Sequence, residues 1–212
     1  MRIVVTRPRG QEEELVRGLI ALRHDVVHCP LIEIEPTGDE PIDVGDYDWL
    51  IVTSVNGAQE LRRRLSGSPP RVAAIGRATA EAFGGADLVP AVSTQEGVLA
   101  ELPQPAGRVL FAGAEGARRL LVDELGAEFV ALYRTREIAP TVVPDGDVVL
   151  LASASAARSF ARLGLDLPAI SIGPQTTQAA LAAGVRVVGE AEMHDVAGLV
   201  AAVTSRACSS PS

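Results

Sequence analysis

The sequence predicts an α/β protein built on parallel sheets and duplicated internally. Three observations carry that reading: short continuous apolar runs, amphipathic helical stretches between them, and blocks that recur in the same order. Ile3-Val4-Val5 reads as the first buried strand. Leu15, Val16, Leu19, Ile20 and Leu22 then place apolar side chains on one helical face, with Glu12 to Glu14 in the first turn. Val26-Val27 opens the second strand. Further strands follow at Trp49–Val52, Val72–Ile75, Arg108–Phe111, Val148–Leu151 and Ala169–Ile172. Each is followed by a small or hydroxyl residue and another amphipathic stretch. Such runs belong to strands buried on both faces, and helices must then cover both sides of the sheet.

The duplication comes from matched blocks. Arg2-Ile-Val-Val-Thr-Arg-Pro, its helix and the strand ending Glu35-Pro36-Thr37 correspond to Arg108-Val-Leu-Phe-Ala-Gly-Ala, its helix and the strand ending Ala139-Pro140-Thr141. Tyr47 to Gly57 matches Gly146 to Ala156, so Ser54 falls on Ser153. Ala74 to Ala80 matches Ser171 to Thr177, and Gly97-Val-Leu-Ala matches Gly198-Leu-Val-Ala. Four blocks in one order mark a repeat rather than coincidence.

Length and composition narrow the chemistry. At 212 residues, 47% hydrophobic and 22% charged, the chain has room for one large or two small globular domains. All 19 basic side chains are arginine. With no ε-amine there is no Schiff-base lysine, no Walker lysine and no kinase strand lysine. Cys29 and Cys208 stand far apart and outside any CxxC spacing, so neither a disulfide scaffold nor a thiolate metal site is expected, and a reducing cytoplasm is. No signal peptide is expected from the opening residues. No run reaches the ~20 apolar residues of a membrane span. A net charge of −8 disfavours nucleic acid, whose phosphates call for basic side chains.

In open α/β sheets ligands sit beyond the carboxyl ends of strands. Six corners fall there: Thr6-Arg7, Thr53-Ser54, Gly76-Arg77-Ala78-Thr79, Gly113-Ala114-Glu115-Gly116, Ser153-Ala154-Ser155 and Gly173-Pro174-Gln175-Thr176. Each is expected to open a helix, with unpaired N–H groups and a positive dipole end suited to carboxylate or phosphate. The same residue types are also ordinary helix caps. Gly113-x-x-Gly116 lacks the third glycine of a dinucleotide fingerprint, and neither a P-loop nor a GxSxG elbow is present. His24 and His28 flank the start of a strand, where a spacing of four does not make a ligand pair; both are expected to be exposed, and no metal is assigned. Asp145-Gly146-Asp147 reads as a turn, and Arg62-Arg63-Arg64 as a solvated helix end complementing the dipole. The Ser/Pro-bearing tail after Thr204 is expected to be unordered. Tyr133, beside Arg134 and Arg136 at the end of the strand Phe129–Leu132, has two readings: a proton donor, or a structural tyrosine with a bonded hydroxyl.

Val-Val-Thr6-Arg7-Pro8, Pro30-Leu-Ile-Glu-Ile-Glu-Pro36, Asp48-Trp-Leu-Ile-Val-Thr53-Ser54-Val-Asn56, Ala74-Ile-Gly76-x-x-Thr79-Ala80, Tyr133-Arg-Thr135 and Ile172-Gly173-Pro174-x-Thr176 together resemble the uroporphyrinogen-III synthase family across nearly the whole chain. That resemblance implies two flavodoxin-like lobes joined by a two-stranded linker. Lobe one would be residues 1–34 and 141–212, lobe two 41–133, and the linkers 35–40 and 134–140, each lobe mixing strands from both repeats. It implies a cofactor-free hydro-lyase that closes hydroxymethylbilane to uroporphyrinogen III, with loss of water and inversion of the terminal ring. Binding roles fall on Thr6, Arg7, Thr53, Ser54, Asn56, Gly76, Arg77, Thr79, Ser153, Gly173, Gln175 and Thr176, and proton donation to the leaving hydroxyl falls on Tyr133. Ala152, Arg77 and Gln175 depart from the family's common residues, and Arg77 would add a carboxylate contact. The implied partners are the linear tetrapyrrole and the enzyme that makes it, with the chain a cytoplasmic monomer. A non-catalytic binder of tetrapyrroles or polycarboxylates is the alternative, and a sugar-phosphate binder a third reading.

Overall fold

The computed structural model describes residues 1–68, 70–140 and 144–209, with side chains to residue 205. The chain divides into two compact units, Met1–Glu33 with Thr135–Ser212, and Ile34–Arg134.

The first unit is a five-stranded sheet in the order β12-β11-β10-β1-β2, parallel throughout. Its strands are β1 (Arg2–Val5), β2 (Asp25–His28), β10 (Val148–Leu151), β11 (Ala169–Ser171) and β12 (Val187–Glu190). Ile3 to Val5 and Val148 to Leu151 are buried because both faces are covered, which is why these strands are apolar without alternation. Helices α1 (Glu13–Ala21) and α8 (Val196–Ser209) share one core with the sheet through Leu15, Leu19, Leu199 and Val203. Helices α6 (Ala154–Ala161) and α7 (Pro174–Ala182) share the other through Ala157, Phe160 and Ala180.

The second unit shares four of these strand positions and adds its own edge strand, β3 (Ile32–Pro36). Strands β3, β5 (Trp49–Val52), β7 (Arg71–Ala74), β8 (Val109–Ala114) and β9 (Glu128–Glu137) lie in the order β3-β9-β8-β5-β7. Two-residue strands β4 (Ile42–Asp43) and β6 (Leu65–Ser66) pair separately. Helices α2 (Val55–Arg64), α3 (Arg77–Phe83), α4 (Gln95–Glu101) and α5 (Leu120–Leu125) complete it. Strand β1 lies beside β10 and β2, and its repeat counterpart β8 lies beside β5 and β9. Each sheet therefore draws strands from both repeats.

Several expectations need correcting. Ile20 is 57% exposed and Leu22 42% exposed. Only Leu15 and Leu19, four apart, point squarely inward; Ile20 is turned ~100° from Leu19, and Leu22 is already the C-cap. Gly113 to Gly116 does not open a helix. Strand β8 continues through Ala114, and α5 begins only at Leu120. Thr6-Arg7 is likewise separated from α1 by the Pro8–Glu12 loop. His24 before β2 and His28 at its end are both half-buried rather than exposed. In the arginine run, Arg63 pairs with Glu60 and Asp39, whereas the Arg64 side chain is largely buried and its Nε donates to the Glu40 carbonyl. The residues after Thr204, expected to be unordered, continue helix α8 through Ser209, and the Thr204 and Ser205 hydroxyls donate back to the Val200 and Ala201 carbonyls. Residues 210–212 and the Cys208 side chain lie outside the described residues. Tyr133 sits within β9, which runs on to Glu137, not at its end.

Candidate functional site

The carboxyl ends of neighbouring strands bring the expected residues together in two sets, one in each unit. In the second unit Thr53-Ser54 follows β5, Gly76 follows β7, and Tyr133 lies on β9. Ser54 is extended and its hydroxyl oxygen accepts the Gly57 N–H at 3.0 Å, capping α2. The same oxygen lies 2.9 Å from the Tyr133 hydroxyl. Tyr133 reaches it because the β8–β9 register shifts between Gly113 and Ala114, so that Ala114 pairs with Tyr133. Successive strand residues normally face opposite sides; the irregularity lets Leu132 and Tyr133 enter the same core. Burial pushes the Tyr133 phenol above its ordinary value, with the Ser54 hydrogen bond opposing in part. The phenol therefore holds its proton at neutral pH. Gly57 makes room for this pair: a Cβ there would lie 2.9 Å from Ser54 Oγ and 3.7 Å from the Tyr133 ring.

Asn56 is half-buried in the first turn of α2. Gly76 caps α3 in extended conformation, Arg77 is exposed at the first helical position, and Thr79 is buried. Arg134 and Arg136, which flank Tyr133 in sequence, are bound to Glu35 and Glu33 at 2.8 and 2.6 Å. Both lie on the stretch of β9 after Tyr133, which is exposed throughout.

In the first unit Ser153 follows β10, Gly173 follows β11 and Thr6 follows β1. Ser153 repeats the Ser54 cap, accepting the Ala156 N–H at 3.1 Å. Just past β2, Cys29 shares a core with Ala157 and Phe160, as Tyr133 shares one with Ala58 and Leu61. The two sets thus share a frame and differ in chemistry. Gly173 caps α7 with Pro174 at its first position; Gln175 is exposed and Thr176 buried. The Thr6 hydroxyl is buried and donates to the Leu150 carbonyl at 2.8 Å, tying the first corner to the Ser153 corner.

Arg7 is half-buried, with its Nε enclosed and without a hydrogen-bond partner. Burial lowers its guanidinium pKa, opposed by Glu14 and Glu12. His28 Nε2 donates to the Arg7 carbonyl at 2.9 Å, and its Nδ1 lies 3.6 Å from Glu12. Backbone N–H groups hold the Glu12 carboxyl below its ordinary value, and His28 adds to this. Gly57, His28 and Glu12 were not singled out as site residues in the sequence. The equivalent place after Ser153 is Ala156, so no sequence signal marked the glycine.

No helix among the described residues is long and apolar enough to cross a membrane.

Comparison with known proteins places the chain in a family. The model of the uroporphyrinogen-III synthase HemD family matches residues 13–201. A uroporphyrinogen-III synthase of Synechococcus elongatus is 29% identical, the alignment covering 95% of this chain and 93% of the relative. One from Escherichia coli is 30% identical, over 70% of this chain and 77% of the relative. In fold, the chain is similar to a crystal structure of a mutant uroporphyrinogen III synthase from Thermus thermophilus, with TM-score 0.64, 17% identity and 98% of each chain covered. The family match extends over both repeats and both units, and the chain belongs to the uroporphyrinogen-III synthase family.

Proposed function

We propose that this chain catalyses the closure of hydroxymethylbilane to uroporphyrinogen III, releasing water and inverting the terminal pyrrole ring through a spiro intermediate. Family membership carries the reading. The substrate bears acetate and propionate groups on every ring and closes unaided to the type I isomer, so the catalyst's main task is to hold one fold of a flexible chain. Orientation of that kind lowers barriers by ~7–11 kcal/mol in favourable cases. The helix N-termini capped by Ser54, Gly76, Ser153 and Gly173 offer N–H donors for carboxylates. Thr6, Arg7, Thr53, Asn56, Arg77, Thr79, Gln175 and Thr176 belong to the same corners, and we assign them to substrate binding.

Tyr133 is the proton donor in this reading. Its buried phenol is protonated at neutral pH. It passes the proton to the departing hydroxyl, the C–O bond breaks, and water leaves. Ser54 orients the phenol through a hydroxyl already fixed as a helix cap. The chain acts as a monomer in the cytoplasm, taking its substrate from the enzyme that makes it. Incubation with freshly generated hydroxymethylbilane, followed by oxidation and separation of the isomers, tests the assignment. Predominantly type III product is expected; type I alone, at the spontaneous rate, overturns it, and tight product binding without isomer selection would identify a binder instead.

A further inference from the structure

Each unit carries a second built feature beside its corners. Val92 is 60% exposed and Met193 66%, the two most exposed large apolar side chains among the described residues. They hold matching places in the repeat: Val92-Ser93-Thr94 leads into α4, and Met193-His194-Asp195 leads into α8. The Thr94 N–H donates to the Val92 carbonyl at 2.7 Å and the Asp195 N–H to the Met193 carbonyl at 2.8 Å. Thr94 Oγ1 and Asp195 Oδ1 then accept the N–H of Gly97 at 3.1 Å and of Gly198 at 2.7 Å. A Cβ on Gly97 would intrude deeply on the Val92 carbonyl oxygen, and one on Gly198 on that of Met193. Each turn is therefore clamped onto the helix that follows, through a glycine that a helix otherwise disfavours.

The middle residue of each turn is anchored on the other side. Ser93 Oγ lies 3.2 Å from where a Cβ of Gly76 would project, and the His194 ring 2.9 Å from where one of Gly173 would. The turn is thus seated against a corner assigned above to carboxylate binding, and the side chain it presents outward is apolar. One exposed apolar residue needs no explanation. Two at equivalent positions, each on a turn fixed from both sides and each beside such a corner, mark a repeated feature, and each gives its own corner an apolar neighbour.

We propose that Val92 and Met193 are substrate contacts, each receiving the apolar face of a pyrrole ring whose carboxylates lie at the adjoining Gly76 or Gly173 corner, and that they help select the isomer. This rests on the synthase reading. Val92→Ser and Met193→Ser, singly and together, are compared with wild type for KM, kcat, type III to type I ratio and melting temperature. Each single variant raises KM by about tenfold and increases the type I share. Melting temperatures stay unchanged, because these side chains already stand in water. Val92→Leu and Met193→Leu retain near wild-type behaviour, and Leu181→Ser, which removes an equally exposed apolar residue from α7, leaves all four readouts unchanged. Serine variants whose KM and isomer ratio stay within about twofold of an active wild type overturn the inference alone. A wild-type chain that forms no type III product overturns it together with the synthase reading.

Discussion

Removing the hydroxyl of Ser54 should cost the fold more than removing that of Ser153, although both cap a helix at equivalent points of the repeat. In Ser153→Ala the loss is one cap, typically about 1 kcal/mol, since Ser153 Oγ serves the Ala156 N–H. In Ser54→Ala the same cap is lost and the Tyr133 hydroxyl is stripped of its partner. A buried polar group left unpaired costs about 1–3 kcal/mol, which brings the expected total to about 2–4 kcal/mol. Tyr133→Phe removes one hydrogen bond but leaves Ser54 capping Gly57, for about 1 kcal/mol. The double variant leaves no orphaned phenol, so it should fall about 1–3 kcal/mol short of the sum of the singles. Urea titrations followed by circular dichroism measure all four proteins. Trp49, the only tryptophan in the sequence and a buried residue of β5, reports the second unit separately by fluorescence. Equal losses for Ser54→Ala and Ser153→Ala, or strict additivity in the cycle, would refute the account of the Ser54–Tyr133 pair.

Tyr133→Phe should lower turnover by about a hundredfold, the low end of what a general acid supplies, while type III remains the main product because orientation is untouched; wild-type turnover in single-turnover assays would remove the phenol from the mechanism. The folded pKa of Tyr133 is raised above the ordinary 10.0, so its contribution to stability is complete below pH 10 and is lost as pH rises through the folded value. Wild type should therefore lose stability faster than Tyr133→Phe above pH 10, and parallel alkaline unfolding curves would contradict this. Leu19→Ala should destabilise by about 2–5 kcal/mol because Leu19 is fully buried. Ile20→Ala should stay within about 0.5 kcal/mol, and similar losses in urea melts would return Ile20 to the core.

The sequence made the strands and most corners readable because they depend on local chemistry. A continuous run such as Val148–Leu151 needs cover on both faces, and a serine at its exit is a natural cap, as at Ser153. Extent was less legible where a strand could continue past its apolar run. Nothing in Gly113-Ala114 marks the register shift that carries β8 onward. The face of α1 was misread because Ile20 and Leu22 are apolar, yet the helix has only a narrow inward line. The Ser54–Tyr133 bond joins residues 79 apart in sequence, and the His28 contact with Arg7 joins residues 21 apart. Both needed the strand order. The turns at Val92 and Met193 left a trace in the repeat of Gly97 and Gly198, but only the close approach of each preceding carbonyl explains why glycine stands there.

The pairing of Ile3 with Val148 also sets a schedule for synthesis. When His28 has been added, β1 has its neighbour β2 but not β10, whose first residue is 120 positions further on. At about 5–20 residues per second, the wait is roughly 6–24 s. Residues 34–134 are all made in that interval, so the second unit can finish while the nascent first sheet still has an open flank. Over that interval the flank of β1 that β10 will cover is an unpaired strand edge, open to pairing with other chains.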